Sequence, residues 1–310
     1  MTEGDALLEL LAQLQSRDYR FTAVTPETHA RVLARPRPTQ LTLRDVFGWN
    51  RPFAATEIDP DILELLRRAG SAEETSGALR SRIRVASLGE RLFLHSSFPT
   101  TAPDSVFFGP DTYRFCSFIA AVLADIRAPH WFVDMGAGSG AGGIVAGEQQ
   151  GTPRLSLVDI NPGAARLAHV NARFANVSAE IVVGDRIPEG CDLVIANPPY
   201  MIDVAHRSYR DGGAMFGGEV AFEWARQALA SLRPEGTLLL YTGAAVIEGE
   251  TPLLDELGRL ARDEGAGLTT RELDPDVFGE ELARPEYAQV ERIASVGITM
   301  VKRRGGGDCG

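Results

Sequence analysis

A chain of 310 residues, 44% hydrophobic and 24% charged, has the balance of an ordinary globular protein and length for two domains or one large decorated one. It has no apolar run of about 18 residues for a membrane span, and its acidic start, "MTEGDALLEL", lacks the regions of a signal peptide, so a cytoplasmic protein with no membrane partner is expected. A net charge of −11 disfavours a nucleic-acid partner, and three scattered cysteines (Cys116, Cys191, Cys309) without metal-ligand spacing predict a reduced chain with no metal.

The N-terminal stretch reads as short helices. In "DALLELLAQLQ", Leu7, Leu8, Leu11 and Leu14 share one helical face. "TPETHARVLA" starts with Thr25 as a cap and Pro26 in the first turn, and "DPDILELLRRAG" repeats that logic from Asp59 and Pro60 to a terminating Gly70. "RIRVASLGERLFLH" predicts two short strands joined at Leu88-Gly89-Glu90. Helices followed by a hairpin occur in winged-helix modules; the plainer expectation is a substrate-docking domain over residues 1–100. Charges balance over these residues, and the acidic excess lies in the remainder. The arginines of "RVLARPRP" are read as solvated, in a chain whose single lysine is Lys302.

Beyond residue 100 the pattern alternates between strand and helix. "HWFVDMG" is a strand followed by a helix from Gly140, "RLSLVD" a second strand, and "NPGAARLAHVNARFA" its helix. "AEIVVGD" and "CDLVIANPPY" supply strands three and four; "EVAFEWARQALASL" is a helix ended by Arg233-Pro234-Glu235-Gly236, before the strand "GTLLLYTG". The helix "TPLLDELGRLARDEG" and the strands "LTTRELD" and "RIASVGITMVKR" close the pattern, the last strand antiparallel. This predicts an α/β fold: a doubly wound, seven-stranded Rossmann-like sheet over residues 101–302, preceded by the mostly helical N-terminal domain with its short β-hairpin. Residues 303–310, "RRGGGDCG", read as a disordered tail.

Five of the eight residues from Gly136 to Gly143 are glycine. Gly138, Gly140 and Gly143 satisfy the G-x-G-x-x-G spacing of dinucleotide sites. Asp134, Gly136, Gly138 and Gly140 satisfy D-x-G-x-G-x-G, a spacing typical of S-adenosylmethionine sites. The glycines alone do not decide between the two. Asp134 could serve the ammonium of a methionine tail, directly or through water. Asp159, ending strand two, could accept from both ribose hydroxyls in either cofactor, and Asp185, closing strand three, could hold an adenine amino group. The deciding stretch is Asn197-Pro198-Pro199-Tyr200. Two prolines hold the chain extended with carbonyls outward. The Asn197 side-chain oxygen and the Pro198 carbonyl could then receive the two N–H bonds of a planar nitrogen, with Tyr200 stacked on the group that bears it.

These residues resemble the class I, Rossmann-like S-adenosylmethionine-dependent N-methyltransferases of the N-P-P-Y group. That group includes HemK-type release-factor glutamine methyltransferases, adenine-amino methyltransferases and guanine-amino rRNA methyltransferases. The likeness runs over roughly residues 82 to 300, through "DMGAGSGAGGIVA", "LVDINPGAARLAHVNA" and "IANPPY", with "VFFGPDTYRF" similar to a family segment ending Pro-Glu-Thr. It implies S-adenosyl-L-methionine as cofactor and S-adenosyl-L-homocysteine as product, bordered by Pro110 to Thr112 and held by Thr112, Asp134, Gly136, Ala137, Gly138, Gly140, Asp159, Ile160, Asp185, Arg186 and Asn197. It implies Asn197, Pro198, Pro199 and Tyr200 as the catalytic set. The segment after Tyr200, "MIDVAHRSYRDGGAMFGG", is shorter than in the HemK-type family, and the N-terminal region does not obviously match that family's helical domain. His206, Arg207, Tyr209 and Arg210 sit there on a loop beside the site, Tyr209 and Arg210 as candidate substrate contacts.

The expected activity is methyl transfer to an amide or amino nitrogen of a protein glutamine or a small molecule. An adenine or guanine amine of RNA or DNA is the alternative. An NAD-dependent oxidoreductase is a distant third, lacking the second substrate domain and the hydride-handling His or Tyr-Lys pair such an enzyme needs.

Overall fold

Helix α1 (Glu3–Ser16) starts at a reciprocal cap: the Thr2 hydroxyl accepts from the Asp5 N–H while the Asp5 carboxylate accepts from the Thr2 N–H. Its buried stripe is Leu7, Leu10, Leu11 and Leu14; Leu8, assigned to that face from sequence, lies at the stripe's edge and is only partly buried. Helices α2 (Pro26–Leu33) and α3 (Pro60–Arg68) follow their expected caps, Thr25 and Asp59, whose side chains accept from the Thr28 and Asp61 N–H groups. Two hairpins come next. The second, β3 (Ile83–Leu88) with β4 (Arg91–Ser96), is the expected one. The first, β1 (Ala72–Thr75) with β2 (Ala78–Ser81), was not anticipated, because "AEET" offers no apolar alternation to read. The structure, a computed structural model, describes residues 2–75, 77–126, 129–151 and 154–304. The expected tail lies outside these from residue 305 onward, Cys309 included.

Helix α4 (Pro110–Leu123) leads into the alternating part: β5 (Trp131–Met135), α5 (Ala141–Gln149), β6 (Arg154–Asp159), α6 (Pro162–Phe174), β7 (Glu180–Val183) and β8 (Cys191–Ala196). A single left-handed turn, α7 (Ala214–Gly217), precedes α8 (Glu219–Ser231), β9 (Leu232–Val246), α9 (Pro252–Asp263), β10 (Ala266–Asp274) and β11 (Arg292–Lys302). The strands form one sheet in the order β10-β11-β9-β8-β5-β6-β7, parallel except for β11, which runs antiparallel to both neighbours. The doubly wound seven-stranded expectation therefore holds. Strand β9 starts earlier than expected, at Leu232, taking in the Arg233–Gly236 turn.

Alternation along the strands divides the interior in two. Phe132, Leu193, Ile195, Leu239 and Tyr241 face one core, under α4, α5 and α6; Val133, Met135, Val194, Ala196, Leu238 and Leu240 face the other, under α8 and α9. The N-terminal residues join the first core instead of building their own, so the segments expected as separate domains share a continuous apolar interior. Polar contacts reinforce the junction. The Asn171 carboxamide on α6 accepts from the Leu94 N–H (2.9 Å) and donates to the carbonyls of Leu94 (3.1 Å) and Ser139 (2.8 Å), tying the hairpin to the glycine loop. No helix among the described residues is long and apolar enough to cross a membrane.

A buried basic cluster stands behind the hairpin. Arg84, His29 and His95 are each at most 4% exposed. Nε2 of His29 donates to the Trp49 carbonyl (2.9 Å), which leaves Nδ1 as an acceptor facing the Arg84 guanidinium at 3.5 Å. A second proton on that ring would point at a fixed cation, so burial and Arg84 push the His29 pKa down to about 4 and hold His95 well below its ordinary value. Between the ordinary histidine value of 6.5 and about 4, the unfolded chain takes up protons that folded His29 refuses, so this contribution to stability falls as pH falls. The buried carboxyls Asp111, Asp134 and Asp159, whose pKa values are raised, act with the opposite sign. The expected outcome is that His29→Gln, whose amide can keep the Trp49 bond, loses less in melting temperature than the parent between pH 7 and 4.5, by a few degrees, in a thermal melt series. Parallel curves for the two proteins would show that His29 does not carry the effect.

Candidate active site

A parallel sheet sends its carboxyl ends to one edge, and the chain order reverses beside β5, whose neighbours are β6 on one side and β8 on the other. A crevice opens at such a point. Here it is a cavity of about 300 Å³ above the ends of β5, β6, β7 and β8, roofed by Ser105–Phe107, the first turn of α4 and the 208–210 segment.

The glycine loop forms its floor. At Gly136 the backbone has φ +68°, and a Cβ there would lie 2.3 Å from the Trp224 ring, so only glycine fits. At Gly138, φ is +55° and a Cβ would meet nothing closer than 4.0 Å: this backbone faces open cavity space. Ala141 and Gly142, the first residues of α5, also line the cavity, and their amide N–H groups have no partner among the described residues. Unpaired N–H groups at a helix start suit a carboxylate such as that of a methionine tail.

Asp134 is placed differently from the sequence expectation. It is 1% exposed and does not line the cavity; its Oδ2 accepts from the Gly143 N–H at 2.7 Å, inside α5's first turn. Burial pushes its pKa up to about 7. Its geometry makes it a cap of the helix rather than a direct contact for an ammonium. Gly140 likewise starts α5 with φ +78°, packed against Leu157 and Ala168 away from the cavity. Arg186 is exposed and outside the lining, one residue beyond Asp185.

The remaining cofactor candidates converge. Asp159 lines the cavity at the end of β6; its Oδ2 accepts from the Gly138 N–H (2.8 Å) and its Oδ1 from the Asn161 N–H (2.8 Å). Burial raises its pKa, while the two backbone donors favour the ionised form. These bonds leave each oxygen a lone pair for further hydroxyl donors. Beside it Ile160 is 62% exposed, an apolar face for a flat ring. Gly136, Ala137, Asp185 and Thr112 also line the cavity, the last with its hydroxyl accepting from the Gly109 N–H at 3.2 Å.

The Asn197–Tyr200 segment leaves the end of β8 and forms the opposite wall. Among the described residues, neither the Asn197 carboxamide nor the Pro198 carbonyl has a hydrogen-bond partner, although both residues line the cavity. Tyr200, expected from sequence to lie free for stacking, is anchored. Its hydroxyl donates to the Asp111 carboxylate, and its ring lies against Gly243, where a Cβ would approach to 2.3 Å. Burial and the neighbouring carboxylate raise the Tyr200 pKa well above its usual value, which keeps the phenol protonated.

The loop after Tyr200 is heavily cross-linked. Asp203 forms a two-pronged pair with Arg207 (2.7 Å each), His206 pairs with Asp211 (2.5 Å), and the Tyr209 hydroxyl donates to the Thr100 carbonyl (2.5 Å). Arg210 pairs with Glu281 at 2.6 Å. Tyr209 and Arg210 do line the cavity, as expected; His206 and Arg207 do not. Of the expected Pro110–Thr112 border, Asp111 and Thr112 line the cavity and Pro110 does not; sequence reasoning missed the lining residues Trp224 and Phe278, and missed Pro26, which brings the N-terminal region to the cavity rim. Trp224, Phe278 and Pro26 lie in no motif that pointed to the cavity. No group of acidic, histidine and cysteine residues able to hold a metal exists among the described residues.

Comparison with known proteins accords with this geometry. Residues 117–257 match the family described as "Methyltransferase small domain". The chain is 30% identical over 212 residues to the release factor glutamine methyltransferase of Cereibacter sphaeroides, covering 63% of this chain and 70% of that protein. It is 26% identical over 288 residues to the enzyme of the same name from Deinococcus radiodurans, covering 89% of this chain and 96% of that one. In fold it is similar to Trm5b from Pyrococcus abyssi, with a TM-score of 0.51 at 17% identity over 81% of this chain and 69% of that one. The cofactor is accordingly S-adenosylmethionine, and the cavity's unpaired helix amides, the Asp159 carboxylate and the open face of Gly138 fit it. The chain belongs to the release factor glutamine methyltransferase family of S-adenosylmethionine-dependent N-methyltransferases.

Proposed function

We propose that this enzyme methylates the side-chain amide nitrogen of a glutamine in a protein release factor. The carrying observation is the pair of unpartnered acceptors, the Asn197 side-chain oxygen and the Pro198 carbonyl, on the cavity wall opposite the Asp159 cradle. A glutamine amide has two N–H bonds in one plane and a nitrogen lone pair delocalised into the carbonyl. Two acceptors set side by side bind both N–H bonds, turn the nitrogen to the required direction and raise its electron density. S-adenosylmethionine supplies an electrophilic methyl group on a sulfonium. Asp159 would hold the ribose hydroxyls, Ile160 and Asp185 the base, and the α5 amides the methionine carboxylate. The anchored Tyr200 ring and Phe278 close the wall and keep water from the transfer path. The nitrogen–methyl bond would form as the sulfur–methyl bond breaks, with S-adenosylhomocysteine as the leaving group; the Asn197 and Pro198 oxygens stabilise the positive charge that develops on the nitrogen, whose proton passes to solvent water as the products leave.

In this reading the N-terminal region acts as the docking domain for the protein substrate, since its Pro26 forms part of the cavity rim beside Ser105–Phe107. The buried free thiols Cys116 and Cys191 suit a reducing, cytoplasmic compartment. The nucleic-acid reading is disfavoured by the net charge of −11.

The test is transfer of a radiolabelled methyl group to a purified release factor, with transfer RNA, ribosomal RNA and free glutamine as parallel acceptors. Label on a release-factor glutamine supports the proposal; label confined to RNA overturns it. Two variants separate the halves of the site. Asn197→Ala should lower the turnover rate by about 100-fold while S-adenosylhomocysteine affinity, read by calorimetry, stays near the parent value. Asp159→Asn should weaken that affinity by about 10- to 100-fold, the worth of hydrogen bonds to a charged acceptor. An Asn197→Ala enzyme of parental rate would remove Asn197 from catalysis, and undiminished binding by Asp159→Asn would remove the ribose contact.

A further inference from the structure

One carboxylate at the cavity wall holds together three elements that the sheet brings to the same edge. Asp111, in the first turn of α4, is 4% exposed and lines the cavity. Its Oδ2 accepts from the Tyr200 hydroxyl of the catalytic segment, and its Oδ1 accepts from the Tyr241 hydroxyl on β9 at 2.9 Å. Arg114, one turn further along α4, reaches the same Oδ1 at 3.4 Å and pairs with Asp274 at the end of β10 at 2.7 Å. Both tyrosines are buried, and among the described residues Asp111 is the one carboxylate to which either phenol is hydrogen-bonded.

We propose that Asp111 is a positioning residue for methyl transfer: by accepting from Tyr200 and Tyr241 together it fixes where the Pro198–Tyr200 backbone, and with it the substrate nitrogen, stands. This rests on the proposed role of Asn197 and Pro198.

The physical case is one of degrees of freedom. The two prolines restrict the segment, but they leave its orientation as a unit to whatever holds its far end. Tyr200 is that end. Gly243 gives its ring a flat bed, with no side chain in the way, yet a flat bed permits sliding. The bond to Asp111 removes the slide, and Tyr241 stops the carboxylate from rotating to follow the ring. Arg114, held in turn by Asp274, compensates the charge that two neutral phenols leave unbalanced. The carboxylate never needs to touch the reacting atoms; its effect travels through the Tyr200 ring to the Pro198 carbonyl two residues earlier. A misplacement of about 1 Å at a reacting centre can cost on the order of 100-fold in rate.

The experiment compares Asp111→Ala and Tyr241→Phe with the parent in methyl transfer to a purified release factor, with rates expressed per S-adenosylhomocysteine-binding equivalent from calorimetry. Asp111→Ala should lower kcat by about 10- to 100-fold with KM for the release factor and S-adenosylhomocysteine affinity unchanged. Tyr241→Phe, which removes one donor and leaves Tyr200 bonded, should lower kcat by a few-fold in the same pattern. Equal kcat in the folded variants overturns the proposal, as does a loss that appears wholly in KM or in cofactor affinity. Should Asp111→Ala not fold, Tyr241→Phe decides alone by the same kcat criterion. A parent enzyme that leaves the release factor unlabelled refutes the acceptor assignment; Asp111 is then judged by hydrogen exchange, where faster exchange in the 197–201 segment of Asp111→Ala, with β5 and α6 unchanged, supports the clamp and an unchanged rate overturns it.

Discussion

The geometry of this enzyme follows from the direction of its strands. Parallel strands β5, β6, β7 and β8 all end at one edge, and the chain leaves β5 toward β6 on one side while β8 returns on the other. The backbone must therefore diverge at a single place. Everything with chemical character is gathered there: the floor at Gly136–Gly142, the carboxylate of Asp159, and the acceptors of Asn197 and Pro198. The same divergence imposes a tight steric demand. The chain leaving β5 must fold under Trp224 and over Asp159 before starting α5, and it does so through positive φ angles at Gly136, Gly138 and Gly140.

Around that place the protein distributes its polar groups in two ways. Some are fully satisfied and rigid, as with Asn171 between Leu94 and Ser139, or Asp134 on the Gly143 amide. Others are left unpaired where a ligand would complete them, as with the first amides of α5 and the oxygens of Asn197 and Pro198. Polar groups left without partners along one cavity are available to a ligand that completes their hydrogen bonds. The satisfied groups hold the unsatisfied ones in place.

The N-terminal region shows how a segment without a distinctive motif still shapes a site. It shares the first core with α4, α5 and α6 and delivers Pro26 to the cavity rim. Its Thr100 carbonyl receives the Tyr209 hydroxyl, and its Arg84 reaches toward the Thr100 side chain at 3.5 Å. The loop after Tyr200 is thus pinned to the helical region as firmly as to the sheet.

Much of this was legible in the sequence, and the reason is local. The strand and helix pattern, the caps at Thr25 and Asp59, the glycine loop, Asp159 and the Asn197–Tyr200 segment each declare themselves within a few residues, because backbone conformation and helix starts depend on near neighbours. Sequence could not tell that Asp134 faces inward to α5, that Gly140 and Arg186 miss the cavity, or that Tyr200 is tied down by Asp111. The last of these depends on residues 89 and 130 positions apart, Tyr200 and Tyr241 meeting Asp111, and only the packing of α4 across the sheet brings them together. The sequence by itself determined the fold class, the cofactor and the kind of nitrogen chemistry. The tertiary structure decided which candidates share one cavity and what holds them there, because side-chain direction is set by the neighbours that folding supplies.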